Sequence, residues 1–125
     1  MLETSREGEE QLGPVAAEIS NRVVQVMRDF IGRGPTRART TISRDLAVVV
    51  LQDTLLKAEK SLAAEGKSEM VIDIRRTYQA TLREELVAVV EEVLGRKVIA
   101  FMSDHHIDPD IAVEVFVLSS EDDPG

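Results

Sequence analysis

Two runs of β-branched residues, each interrupted once by polar ones, constrain this chain most. TRARTTI and LAVVVLQ, at 36–42 and 46–52, are separated only by Ser43-Arg44-Asp45. Side chains branched at Cβ favour a pleated surface, and so short a polar gap reads as a hairpin turn. KVIAFM at 97–102 and IAVEVFVL at 111–118 repeat the arrangement, with SDHHIDPD as their connection. In the first run Arg37, Arg39 and Thr41 alternate with Ala38, Thr40 and Ile42, so one face is polar. LAVVVLQ is apolar almost throughout, as a central strand is. In the last run Ile111, Val113, Val115 and Val117 share one face, and Ala112, Glu114, Phe116 and Leu118 the other.

Between and before the hairpins the apolar period changes to that of a helix. Gly13-Pro14 precedes a stripe of Val15, Ile19, Val23, Met27 and Phe30, and Gly32 and Pro35 end it, which predicts a helix over about 14–31. Asp53-Thr54 offers an N-cap for a short helix through LLKAEKSLAAE that stops at Gly66. A third helix is expected from Ser68 to Leu94, with Gly95 as its stop and Val71, Ile74, Tyr78, Leu82, Leu86 and Val93 along one side. The order α-β-β-α-α-β-β implies an α+β fold, a two-layer α/β sandwich with helices on one face of an antiparallel sheet. The third helix would be roughly 40 Å long at 1.5 Å per residue. That exceeds the diameter of a small domain, so part of its stripe is expected to meet a partner, and a homodimer is inferred.

The chain of 125 residues is expected to form one domain over 14–118 between acidic flexible tails at 1–13 and 119–125. It has no cysteine, which excludes disulfides, thiol nucleophiles and zinc–thiolate sites. The N-terminus MLETSREGEE lacks the features of a secretory signal, and LAVVVL at 46–51 is too short to span a bilayer. A cytoplasmic location, at most peripheral to the inner membrane face, is expected. The net charge of −8 lies mostly at the ends, whereas residues 22–44 carry six arginines against Asp29 alone.

The candidate chemistry is sparse. His105 and His106 are the two histidines of the chain and stand beside Asp104, Asp108 and Asp110. Such side chains suit zinc, iron or manganese, with Asp104, His105, His106 and Asp108 as the metal alternative, and either histidine suits proton transfer. Adjacent residues of an extended segment point to opposite sides, however, and Asp-Pro-Asp reads most simply as a turn. GRGP at 32–35 could gather backbone N–H groups on an anion together with Gly32, Arg33, Gly34, Arg37, Arg39, Arg75 and Arg76, although a helix C-terminus disfavours anions. The simpler reading is a helix stop that launches a strand. Arg75 stands at the border of the third helix's stripe, where a bond to Asp73 or Glu69 in solvent is the simplest expectation. No phosphate loop, serine hydrolase elbow or H-E-x-x-H occurs, and with few aromatic residues nucleic-acid stacking is poorly supported.

GRGP, VVVLQDTLLKAEKSL, an arginine at 75 or 76, S-D-x-x-I-D-P-D and E-V-F-V-L together resemble the MpsC-like family over about 14–118. Thr54 and Glu59 match the hydroxyl and the acid expected of that pattern in its second helix. The family is a bacterial domain labelled as part of a Na+-translocating membrane-potential-generating system. The resemblance implies a soluble accessory to membrane ion or inorganic-carbon transport with no agreed catalytic residues. The overlong helix, the arginine zone and the lack of a complete catalytic set lead to the expectation of a non-enzymatic accessory or regulatory domain that binds a partner protein or small anion, without a cofactor. Expected partners are a second copy, a membrane-transport protein or a small anion. The alternatives are a small enzyme with an Arg/His pocket for a carboxylate-like substrate, and an RNA-binding domain.

Overall fold

A computed structural model describes residues 2–120, with side chains described from Gly13 onward. Three helices, α1 (Leu2–Ile31), α2 (Lys57–Ala64) and α3 (Ser68–Leu94), accompany four strands, β1 (Arg37–Ser43), β2 (Leu46–Gln52), β3 (Val98–His106) and β4 (Ile111–Leu118). The strands form one antiparallel sheet in the order β1-β2-β4-β3. Each hairpin is a neighbouring pair, and β2 and β4 join them at the centre, which the apolar character of these two strands favours. The fold is the α+β sandwich that the pattern implies.

The alternation along each strand separates the two faces of the sheet. Ala47, Val49 and Leu51 of β2 and Ala112, Phe116 and Leu118 of β4 are buried beneath the helices. They meet Ile19, Val23 and Met27 of α1 and Leu82, Leu86, Val89 and Val90 of α3. Each of these side chains larger than alanine contributes roughly 1.5–3 kcal/mol on burial. Phe101 and Phe116 pack with centroids 5.1 Å apart. A hydrogen bond of 2.7 Å between the Ser20 and Thr40 hydroxyls fixes α1 on the same face.

Several boundaries differ from the sequence expectation. α1 runs back to Leu2, so Pro14 lies inside a helix rather than opening one. A proline there removes one ladder hydrogen bond and crowds the carbonyl of the preceding turn, and α1 continues through it nonetheless. Of the C-terminal tail expected at 119–125, residues 121–125 lie outside the described residues. β3 continues through Ser103 to His106, which reduces the connection to a turn at 107–110 with a cis Asp108–Pro109 peptide. α2 is capped at Leu56, whose N–H is accepted by Glu59, and not at Asp53-Thr54. Ser68 begins α3 without capping it.

The largest correction concerns α3. Its buried line is Val71, Arg75, Gln79, Leu82, Leu86 and Val89–Val90, while Ile74 and Tyr78 lie half-buried beside it. α2 covers the first part of the helix, and α1 and the sheet cover the rest. The overlong stripe is therefore sheltered within the chain. The exposed large apolar side chains are Phe30 of α1 and Met70 at the start of α3, with Leu46, Ile99 and Met102 on the sheet.

Arginine also closes the end of the sheet opposite the histidines. Arg44, with φ of 53°, occupies a conformation that costs a non-glycine residue about 1 kcal/mol. Arg96 donates to its carbonyl at 2.7 Å, to Asp45 at 2.5 Å and to the Ser119 carbonyl, which offsets that cost.

Candidate functional site

The polar groups gather between the layers, at the end where the 53–56 segment crosses the start of β4. Arg75, 4 % exposed, projects from α3 towards α2. Its Nε donates to Glu59 Oε2 at 2.8 Å, its Nη2 donates to Glu59 Oε1, and Nη2 also reaches the Thr54 carbonyl at 2.8 Å. Glu59 accepts in addition from the Leu56 N–H at 2.7 Å. The pair is desolvated but satisfied, the condition under which a buried ion pair is tolerated. The guanidinium also lies 5.5 Å over the Tyr78 ring.

Asp110 ties the β3–β4 turn to this cluster. Its carboxylate accepts from the Leu55 N–H at 2.8 Å, and His105 Nε2 donates to it at 3.0 Å. The Thr54 hydroxyl stands 3.3 Å from Asp110 and 3.4 Å from His105 Nε2. Burial, helped by the Arg75 cation, outweighs Asp110 and holds the His105 pKa below its usual 6.5. His105 is thus a neutral imidazole oriented by a carboxylate, the arrangement a general base uses.

Glu114 is the group that sequence reasoning passed over. It lies on β4 facing the helices and is fully buried, and neither of its oxygens has a hydrogen-bond partner. Burial raises its pKa from the ordinary 4.5 to about 7. The cross-strand hydroxyl of Ser103 opposes this without outweighing burial and makes no hydrogen bond of normal geometry. The alternation of IAVEVFVL had placed Glu114 among Ala112, Phe116 and Leu118. An acid on the apolar side of a central strand is the signal that could have singled it out.

Thr54, Arg75, Tyr78, Gln79, His105 and Glu114 line a single cleft. The space left there is about 10 Å³, what one water needs. The anion candidates do not assemble. Arg75 is engaged by Glu59, whereas Arg76 is exposed and lies 3.9 Å from Asp73. The bond to Asp73 expected of Arg75 thus belongs to Arg76. Arg37 and Arg39 stand on the opposite face of the sheet, exposed, in an open depression with Val50 and Gln52. Gly32, with φ of +90°, donates to the Arg28 carbonyl at 2.9 Å, and a Cβ at Gly34 would lie 3.2 Å from Val24. Gly32 and Gly34 therefore end α1 and admit close packing, with Arg33 half-buried between them. His105 faces inward, while Asp104 and His106 are exposed on the outer face and Asp108 in the turn. His106 Nδ1 donates to the Pro109 carbonyl at 2.8 Å. Among the described residues no three His, Asp or Glu side chains converge as metal ligands do.

Among the described residues no helix is long and apolar enough to cross a membrane. No solved structure matches the chain. Uncharacterised protein YbcI of Bacillus subtilis (strain 168) is 30% identical over 112 residues, spanning 87% of this chain and 89% of YbcI. YrhF of the same strain, also uncharacterised, is 27% identical over 108 residues, or 85% and 88% of the two chains. The family model described as Na+-translocating membrane potential-generating system (MpsC) matches residues 11–120, and the chain belongs to that family.

Proposed function

We propose that this chain is a non-enzymatic, cytoplasmic accessory domain of the membrane-potential system that its family description names, and that it acts by association through the outer face of its sheet. One observation carries the reading. Helices cover one side of the sheet, and on the other Val48, Val50, Val113, Val115 and Val117 are only half-buried, with Met102 54 % exposed. A contiguous apolar sheet face of this kind marks an interaction surface. The polar residues of the cleft, by contrast, are mostly paired with one another around a space too small for a substrate.

The enzyme reading has an observation of its own in favour: Arg75 and His105 converge through Thr54 on the cleft that holds Glu114. Complementation separates the two. A bacterium lacking its own MpsC-family proteins is supplied with variants of this chain, and membrane potential is read with a voltage-sensitive dye. Val113→Lys is expected to abolish complementation and His105→Gln to preserve it. Loss with His105→Gln and retention with Val113→Lys would favour the enzyme.

A further inference from the structure

The registers of the sheet allow the association to be specified further, on the footing that the outer face is where it occurs. Four outward rows cross the sheet. They are Arg37–Gln52–Ile111–His106, Arg39–Val50–Val113–Asp104, Thr41–Val48–Val115–Met102 and Ser43–Leu46–Val117–Ala100. The middle of each row is mainly aliphatic. The second row is basic at its β1 end and acidic at its β3 end.

From this polarity we infer that the face binds a second copy of this chain, stacked sheet on sheet about a two-fold axis parallel to the strands. That operation exchanges left and right across the sheet but leaves position along the strands unchanged. β1 then lies over the partner subunit's β3 and β2 over its β4. Arg39 of each copy meets Asp104 of the other, twice per dimer, and the central valines interdigitate between them. A two-fold axis across the strands instead lays β1 on β1 and gathers Arg37 and Arg39 of both copies at one edge, where like charges repel. Aligned sheets pack about 10 Å apart with a rotation of about 30°. At the outer strands, about 7 Å from the axis, that rotation moves facing residues by about 4 Å, within the reach of arginine.

Four strands about 4.8 Å apart and four rows about 6.8 Å apart make a face on the order of 20 Å by 25 Å. Two such faces remove roughly 1,000 Å² from water, the lower bound of a specific interface. An interface at that lower bound has a short perimeter around few central side chains, so its edge charges weigh in its affinity.

Charge exchange tests this by sedimentation equilibrium across a concentration series, with circular dichroism melting as the control for folding. R39D and D104R each place like charges at both outer contacts and are expected to weaken the dimer by about 100-fold, as juxtaposed like charges do. The double variant R39D/D104R restores pairing with reversed polarity and is expected to return within a few-fold of the parent. An equimolar mixture of double variant and parent should form no mixed dimer. A dimer that R39D strengthens overturns the axis and points to β1 on β1. A dimer unmoved by either single variant overturns the inference and leaves association through another surface standing. A monomer at every concentration up to millimolar ends both this inference and self-association as the mode of action.

Discussion

Replacing Glu114 by glutamine should make this protein more stable at alkaline pH and leave it nearly unchanged at acidic pH. In the fold the carboxyl is fully buried with no hydrogen-bond partner, and burial raises its pKa to about 7 from the ordinary 4.5. An acid whose folded pKa is raised contributes stability that is fully present below about pH 4.5. That contribution is lost as pH rises through about 7, because the unfolded chain ionises first. The difference between the two values corresponds to about 3 kcal/mol, complete above pH 7 to 8. Against a total stability of about 5–15 kcal/mol this is a large fraction, and in a domain of this size it moves Tm by about 10 °C. Glutamine keeps the shape and cannot ionise. Urea unfolding followed by circular dichroism at pH 4, 7 and 8.5 should show parent and Glu114→Gln converging at pH 4 and separating by about 3 kcal/mol at pH 8.5. Taking the difference cancels the titration of His105, whose contribution has the opposite sign. A pH-independent difference would show that Glu114 keeps an ordinary pKa, and so that the interior supplies it with a partner or with solvent.

Two further predictions address the groups around it. Arg75→Met strands Glu59 in the interior and is expected to cost about 3–5 kcal/mol, as removal of one member of a buried pair does. Arg75→Met with Glu59→Leu should cost less than the sum of the two single changes, and additive costs in urea unfolding would contradict the pairing. In an NMR pH titration the His105 ring should change its chemical shift below pH 6.5, whereas His105 in Asp110→Asn, deprived of its carboxylate, should titrate lower still; a midpoint above 6.5 in the parent would contradict the dominance of burial.

Much of the architecture was legible because alternation and helical period are strong where apolar residues are many. LAVVVLQ and IAVEVFVL coincide with β2 and β4, and the face assignment of IAVEVFVL holds residue for residue. What failed were the ends and the polar interior. Pro14 reads as a helix start, yet α1 runs through it despite the lost donor and the crowding of the preceding turn. Arg75 lies on the buried line of α3 because Glu59 and the Thr54 carbonyl, distant in sequence, are there to receive an arginine. Nothing in SEMVIDIRRTYQ itself signals that receptor. Thr54 reads as a helix cap and Arg75 as an anion candidate or a solvent-facing ion pair, Glu59 stands out only through the family pattern, and the fold joins these three directly. Of the His-Asp cluster, the alternation of a strand explains why His105 turns inward, where Asp110 from the turn meets it, and why Asp104 and His106 do not join them.

The composition of β4 has a consequence for how the sheet is kept aligned. Its two sides are both largely aliphatic, so a slide of one residue would trade one greasy set for another and meet little resistance from water. The strand must be pinned from outside its middle. Asp110, fastened to the Leu55 N–H and His105, anchors the residue just before it, and Arg96, fastened to the Ser119 carbonyl, anchors the residue just after it. The alignment of the central ladder is thus dictated by two polar rivets at its extremities, and loosening either one frees the strand to shift past its neighbours.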